Sequence, residues 1–118
     1  MSKKPLQVFS KNTCVTCKKA LAYFDQQKIS YTLTDIVSSP PDKALLEAWL
    51  KSQQEAGDLK TTMNTRSAAY KTHLANQPLP DVNKLAKLMM DDPNLIKRPF
   101  VIHADGHITA GFDEAMFQ

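Results

Sequence analysis

Residues 6–24 read LQVFSKNTCVTCKKALAYF. Leu6, Val8 and Phe9 are apolar or aromatic, as strand residues are. Lys11, Asn12 and Thr13 break the run, as loop residues do. From Cys17 onward, Leu21, Phe24 and Lys28 follow at spacings of four, three and four. That spacing puts Cys17, Leu21 and Phe24 on one helical stripe and leaves Lys18, Lys19 and Asp25 off it. The sequence Cys14-Val15-Thr16-Cys17 therefore stands where a strand hands over to a helix.

That position has chemical consequences. The first turn of a helix carries backbone N–H groups without intrahelical partners and the positive end of the macrodipole. A thiolate placed there is stabilised, so its pKa falls and more of the reactive form exists near neutral pH. Lys11, Lys18 and Lys19 add positive field. Two residues between the thiols let both point toward the same helix end, so that Cys14 attacks and Cys17 resolves the mixed disulfide. The same spacing also reads as half of a zinc site or as two buried structural cysteines. The strand–turn–helix setting supports redox chemistry.

The whole chain bounds the reading. A length of 118 residues is that of one domain, residues 1–118, with a single modest core. Hydrophobic content of 42% with 23% charged residues is that of an ordinary soluble globule. No apolar run reaches the length of about 18 residues needed to span a membrane. The start, MSKKPLQVFS, has neither a long apolar stretch nor a small-residue cleavage site, so no secretory leader is expected. Two closely spaced cysteines are not a disulfide scaffold. A cytoplasmic monomer is expected. The net charge of +3 comes from scattered lysines, with no run of five like charges, so direct nucleic-acid binding is not expected. Of the fifteen basic residues only Arg66 and Arg98 are arginine. A chain that surfaces itself with lysine has reason to keep arginine where a rigid, two-point fork is needed.

Beyond the first helix, Ile29–Ile36 alternates Ile29, Tyr31 and Leu33 against Ser30, Thr32 and Thr34, which predicts a strand parallel to the first. Ser39-Pro40-Pro41-Asp42 predicts a helix start, with Ser39 as N-cap and Pro40 in the first position. Leu45, Leu46, Trp49 and Leu50 supply its apolar stripe, and Ala56-Gly57 ends it. Residues 58–64 read as a loop or short helical turn. Asn64-Thr65-Arg66-Ser67 leads into a short helix ending near Leu74. After the break Asn76-Gln77-Pro78-Leu79-Pro80, Asp81 caps a further helix with Val82, Leu85, Leu88 and Met89 inward, stopped by Asp91-Asp92-Pro93. The Met89-Met90 pair reads as core filler. Phe100-Val101-Ile102 is a strand, Asp105-Gly106 a two-residue hairpin turn, His107–Ala110 the return strand, and Gly111-Phe112 opens a last helical segment. The order is β-α-β, a helical insert over about residues 40–95, a β-hairpin and a helix. That is the order of a thioredoxin-like α/β fold with a mixed four-stranded sheet.

In that fold the Arg98-Pro99 turn lies beside the cysteines, which makes Pro99 a candidate cis proline. Arg98 then faces Cys14, placed to stabilise a thiolate or bind an oxyanion. His103 and His107 invite a metal reading with the two cysteines. The gap from Cys17 to His103 is far longer than the roughly twelve to fifteen residues of a finger motif. A two-residue turn would also pair Ala104 with His107, putting the histidines on opposite faces. No metal site is assigned.

These residues together resemble the ArsC/Spx family of glutaredoxin-dependent arsenate reductases, Spx-type transcriptional regulators and related small thiol proteins. The resemblance covers essentially the whole chain. It is carried by Asn12-Thr13-Cys14-Val15-Thr16-Cys17-Lys18-Lys19-Ala20, by Asn64-Thr65-Arg66-Ser67 with Tyr70, by Lys97-Arg98-Pro99-Phe100-Val101-Ile102, and by Ala110-Gly111-Phe112-Asp113-Glu114. It implies that Cys14 is the nucleophile, that Arg66 and Arg98 are two of the three arginines arsenate reductases place around the oxyanion, and that Pro99 is the cis proline. It implies glutathione, glutaredoxin or thioredoxin as reductant, with no bound cofactor. Two departures stand out. The third arginine falls at Phe112 and is absent, and Cys17 is present where those enzymes have another residue. Both move the chain toward the Spx-like branch, whose CxxC pair is a redox switch and whose members dock on RNA polymerase.

Overall fold

The computed structural model describes residues 5–117. The reading of the extreme N-terminus falls in part on residues 1–4, outside that range. In chain order the elements are β1 (Leu6–Ser10), α1 (Val15–Gln26), β2 (Tyr31–Asp35), α2 (Lys43–Glu55), α3 (Ala68–His73), α4 (Val82–Asp91), β3 (Phe100–Ile102) and β4 (Ile108–Ala110). Short 3-10 turns lie at Leu59–Thr62, Pro93–Leu95 and Glu114–Phe117. Among the described residues no helix is long and apolar enough to cross a membrane. The chain divides into two compact units, one of residues 1–35 and 98–118, the other of residues 36–97. The second unit contains the stretch of about 40–95 that the sequence reads as a helical insert.

The first unit is built on a four-stranded mixed sheet in the order β2-β1-β3-β4. β1 runs parallel to β2 and antiparallel to β3, and β3 to β4 is an antiparallel hairpin. Alternation along β1 sends Leu6 and Val8 to one face, where they join Ala20 and Phe24 of α1 and Val101 of β3 in a buried cluster. On the other face Phe9 meets Phe100 across the β1–β3 pair, with ring centroids 5.6 Å apart at 78°. α1 ends as Lys28 takes the left-handed conformation at φ +58° and the Ile29 N–H donates to the Phe24 carbonyl over 2.8 Å. Lys28 therefore leaves the helical stripe on which its spacing had put it.

β2 is shorter than its sequence predicts, and its alternation misleads. Leu33 pairs with the fully buried Val8 yet is itself 55% exposed. β2 is one of the two outer strands of the sheet, so apolar alternation there does not guarantee cover.

The hairpin differs from the predicted two-residue turn. Ile102 pairs with Ile108, and the His103 N–H donates to the His107 carbonyl over 2.8 Å, so the loop is Ala104-Asp105-Gly106. A two-residue turn of the favoured type needs positive φ at both central residues. Here only Gly106, at +95°, supplies it, while Asp105 uses its Oδ1 to accept from the His107 N–H over 3.0 Å. One added loop residue reverses the side-chain register. His103 and His107 consequently share a face, stacked 3.9 Å apart at 19°, and do not lie on opposite faces as predicted. The last segment is also later than expected. Gly111 is left-handed at +85°, and helical turns begin only at Glu114 after Asp113 Oδ1 accepts from the Ala115 N–H.

In the second unit α2 buries Leu46, Trp49 and Leu50. It starts at Lys43 behind Asp42, three residues later than the N-cap Ser39 predicts. A residue before proline is disfavoured in the helical region, so the prolines after Ser39 and Pro40 work against a helix starting there. Ser67 caps α3 by accepting from the Tyr70 N–H at 3.1 Å, and Asp81 caps α4 by accepting from the Lys84 N–H at 2.8 Å. Leu85, Ala86 and Met89 of α4 are buried, with Met89 in the core and Met90 only half-buried.

Candidate active site

β1 delivers the chain to the N-terminus of α1, and Cys14 is the N-cap residue itself. Its backbone is extended, at φ −86° and ψ 117°, and its Sγ accepts from the Cys17 N–H over 3.4 Å. A sulfur stands where Ser, Thr, Asp or Asn usually caps. A thiolate there is the better acceptor, so the capping bond and the helix dipole both favour the charged form. The Cys14 carbonyl accepts from the Lys18 N–H over 3.1 Å, which commits the next residues to helix.

The two thiols sit in opposite electrostatic conditions. For Cys14, partial burial pushes the pKa up. Hydrogen bonds from the Cys17 thiol and backbone N–H, with the charge and hydrogen bond of Arg98, outweigh that and hold it below its ordinary value. Cys17 is only 1% exposed. Burial, then the hydrogen bond it gives to Cys14, push its thiol up to about 12, against smaller opposing effects of the Lys11 backbone N–H and Arg98. The thiolate is thus favoured at Cys14 and the proton at Cys17. Both cysteines are free thiols.

Arg98 is thus brought to the cysteines, as its place ahead of β3 predicts. Its Nε is buried without a hydrogen bond, while its guanidinium interacts with Cys14. The Arg98-Pro99 peptide bond is cis, and the Pro99 carbonyl accepts from the Gly111 N–H over 3.0 Å, which ties the turn before β3 to the end of β4. Arg66 belongs to the second unit, where it is exposed in the turn ahead of α3 and its N–H donates to Asn64 Oδ1 over 3.3 Å. Phe112 packs against Tyr23 at 5.6 Å and Phe117 at 6.1 Å, so the position is spent on the aromatic side of the core.

Sequence reasoning missed a groove beside Cys17. It measures about 410 Å³ and is walled by Cys17 and Leu21 of α1, by Leu33 and Asp35 of β2, and by Lys11 of the loop between β1 and α1. The signal available in the sequence was a leucine in the middle of an outer strand, visible only once the strand order was known. A larger groove of about 550 Å³ on the second unit, between α2 and the start of α4, holds no cysteine or histidine. Among the described residues no group of three or more His, Cys, Asp or Glu is arranged to hold a metal ion.

Comparison with known proteins identifies the fold and the family. The global transcriptional regulator Spx of Staphylococcus epidermidis is 27% identical over 110 residues, covering 91% of this chain and 79% of that protein. The crystal structure of a possible arsenate reductase from Streptococcus mutans superposes with a TM-score of 0.77 at 28% identity, covering 96% of this chain and 98% of that one. An ArsC family related protein from Bacteroides fragilis shares the fold, with a TM-score of 0.80 at 24% identity and 97% of each chain covered. The fold is thus the thioredoxin-like α/β fold of ArsC proteins. The ArsC family model matches residues 9–118, from the strand that carries the cysteine loop to the C-terminal segment, and the chain belongs to the ArsC family.

Proposed function

We propose that the protein is a thiol–disulfide oxidoreductase of the ArsC family in which Cys14 attacks and Cys17 resolves. The observation that carries this reading is the split between the two thiols: one lowered at a helix N-cap beside Arg98, the other buried and protonated against it. In the forward direction the Cys14 thiolate attacks a substrate disulfide. A Cys14–substrate S–S bond forms and one substrate thiolate leaves. Cys17 then attacks Cys14 Sγ, the internal disulfide forms and the second substrate thiol is released. Glutathione, glutaredoxin or thioredoxin is the class of reductant that returns the pair to dithiol. Arg98 steadies the negative charge at Cys14.

A disulfide substrate fits better than arsenate, because Phe112 stands where a third arginine would be and is packed on Tyr23 and Phe117. The likeness to Spx supports a second reading, in which the same pair is a redox switch for binding RNA polymerase. The deciding experiment measures arsenate and disulfide reduction with glutathione–glutaredoxin and with thioredoxin, beside binding to purified RNA polymerase of each redox form. Disulfide turnover abolished by Cys14→Ser supports the enzyme. No turnover with any reductant, together with polymerase binding that depends on redox state, refutes it in favour of the switch.

A further inference from the structure

Attack by Cys14 and resolution by Cys17 leave one proton unassigned. Cys17 is held neutral by burial first, and by its contact with Cys14 second. Once Cys14 is tied up in a mixed disulfide, its negative charge is gone and the contact no longer raises Cys17, but the burial stays. A thiol kept neutral by burial resolves slowly unless a base takes its proton as the new S–S bond forms.

The groove at Cys17 offers such a base. At about 410 Å³ it is roomy enough for several waters, each of which takes roughly 30 Å³. The charged or titratable groups around it are Lys11 from the β1–α1 loop, Lys18 from α1 and Asp35 from β2, with Arg98 acting on both thiols from the turn before β3. Of these side chains the carboxylate is the ordinary proton acceptor. Among the described residues lining the groove, Asp35 supplies the one carboxylate. The first turn of α1 carries no acidic residue. Register puts Asp35 beside Ser10, and the next residue, Lys11, gives its backbone N–H to Cys17. The carboxylate is therefore placed at the same end of the sheet as the buried thiol. It is absent from the interactions that set either thiol, so a proton reaches it only through water in the groove.

We propose that the Asp35 carboxylate, reached through water in the groove, accepts the Cys17 proton during resolution. The proposal rests on the oxidoreductase reading and names the proton path of its second step. The Cys17 S–H bond breaks and its proton passes by water to Asp35. The Cys17 sulfur pair forms the bond to Cys14 Sγ, the bond from Cys14 to the substrate sulfur breaks, and the substrate leaves as thiolate. Asp35 then returns the proton to solvent.

The test follows a single turnover of the full chain with 5,5′-dithiobis(2-nitrobenzoate), which releases one coloured thiolate on attack by Cys14 and a second on resolution by Cys17. Asp35→Asn is expected to leave the first release unchanged and to slow the second by about tenfold or more at pH 7, at or below the lower end of general-base effects. The slowed phase should quicken steeply with pH, as hydroxide takes over, and recover in Asp35→Glu or with added formate. An unchanged first release also shows that the variant keeps the capped helix and Arg98 in place. A second release as fast in Asp35→Asn as in the native protein overturns the proposal while leaving the oxidoreductase reading intact. No first release in the native protein overturns both.

Discussion

Replacing Arg98 by alanine should raise the pKa of Cys14 and slow its alkylation. Burial already opposes the Cys14 thiolate, and Arg98 contributes both a charge and a hydrogen bond on the favourable side. Removing them leaves the helix cap and the Cys17 thiol as the remaining support. A close opposite charge alters a thiolate population by about tenfold or more, but half-exposure screens part of that. The more basic thiolate is also intrinsically more nucleophilic, with a Brønsted slope of about 0.4–0.5. Together these leave iodoacetamide labelling about two- to sixfold slower at pH 7, with the midpoint of the rate–pH curve moved upward. Arg98→Lys should keep part of the effect and lose the planar two-point contact with an anion. Sulfate should protect Cys14 in the native protein, and less so in either variant. A rate–pH midpoint and a sulfate effect both unchanged in Arg98→Ala would refute the reasoning and remove Arg98 from the site.

Peptide mapping after brief labelling should find Cys14 modified at least a hundredfold faster than Cys17. Cys17, pushed up to about 12 and buried, holds its proton at pH 7; equal labelling would sink the assignment. Phe24→Ala should cost about 3–5 kcal/mol in urea unfolding, since the ring is fully buried against Leu6, Val8 and Val101. A loss under about 1 kcal/mol would show that the cluster does not hold the sheet to α1. His103 has its pKa lowered by burial first and then by His107, so the unfolded chain binds its proton more readily. Stability is then full above the ordinary histidine value of about 6.5 and is lost as pH falls from there through the folded value. His103→Gln should flatten that part of a melting-temperature profile between about pH 7 and 5, and an unaltered slope would show that the stacked pair does not matter.

Much of this was readable from local patterning, because it depends on neighbours in the chain. A broken apolar run followed by a stripe at helical spacing places Cys14 at a helix start, and the cap geometry bears this out. The caps at Ser67 and Asp81 and the pairing of β1 with β2 follow from the same kind of short-range rule. The rarity of arginine singled out Arg98, and the site uses it. Where local rules competed, the sequence misled. Pro40 reads as a helix start until the following proline is counted, and Asp105-Gly106 reads as a two-residue turn although Asp105 avoids positive φ by bonding its own hairpin. That single extra loop residue put two histidines ring to ring.

What the tertiary structure alone decided depends on contacts far apart in sequence. The strand order leaves β2 outermost, exposing Leu33 and opening the groove where Asp35 stands with Cys17. The degree of inequality between the thiols is of the same kind. Spacing put Cys17 on the apolar stripe and Cys14 at the helix start, but how completely Cys17 is buried and how Arg98 acts on Cys14 were set only by the packed structure. Burial and charge are properties of the space around a side chain, and that space is assembled only when the sheet closes.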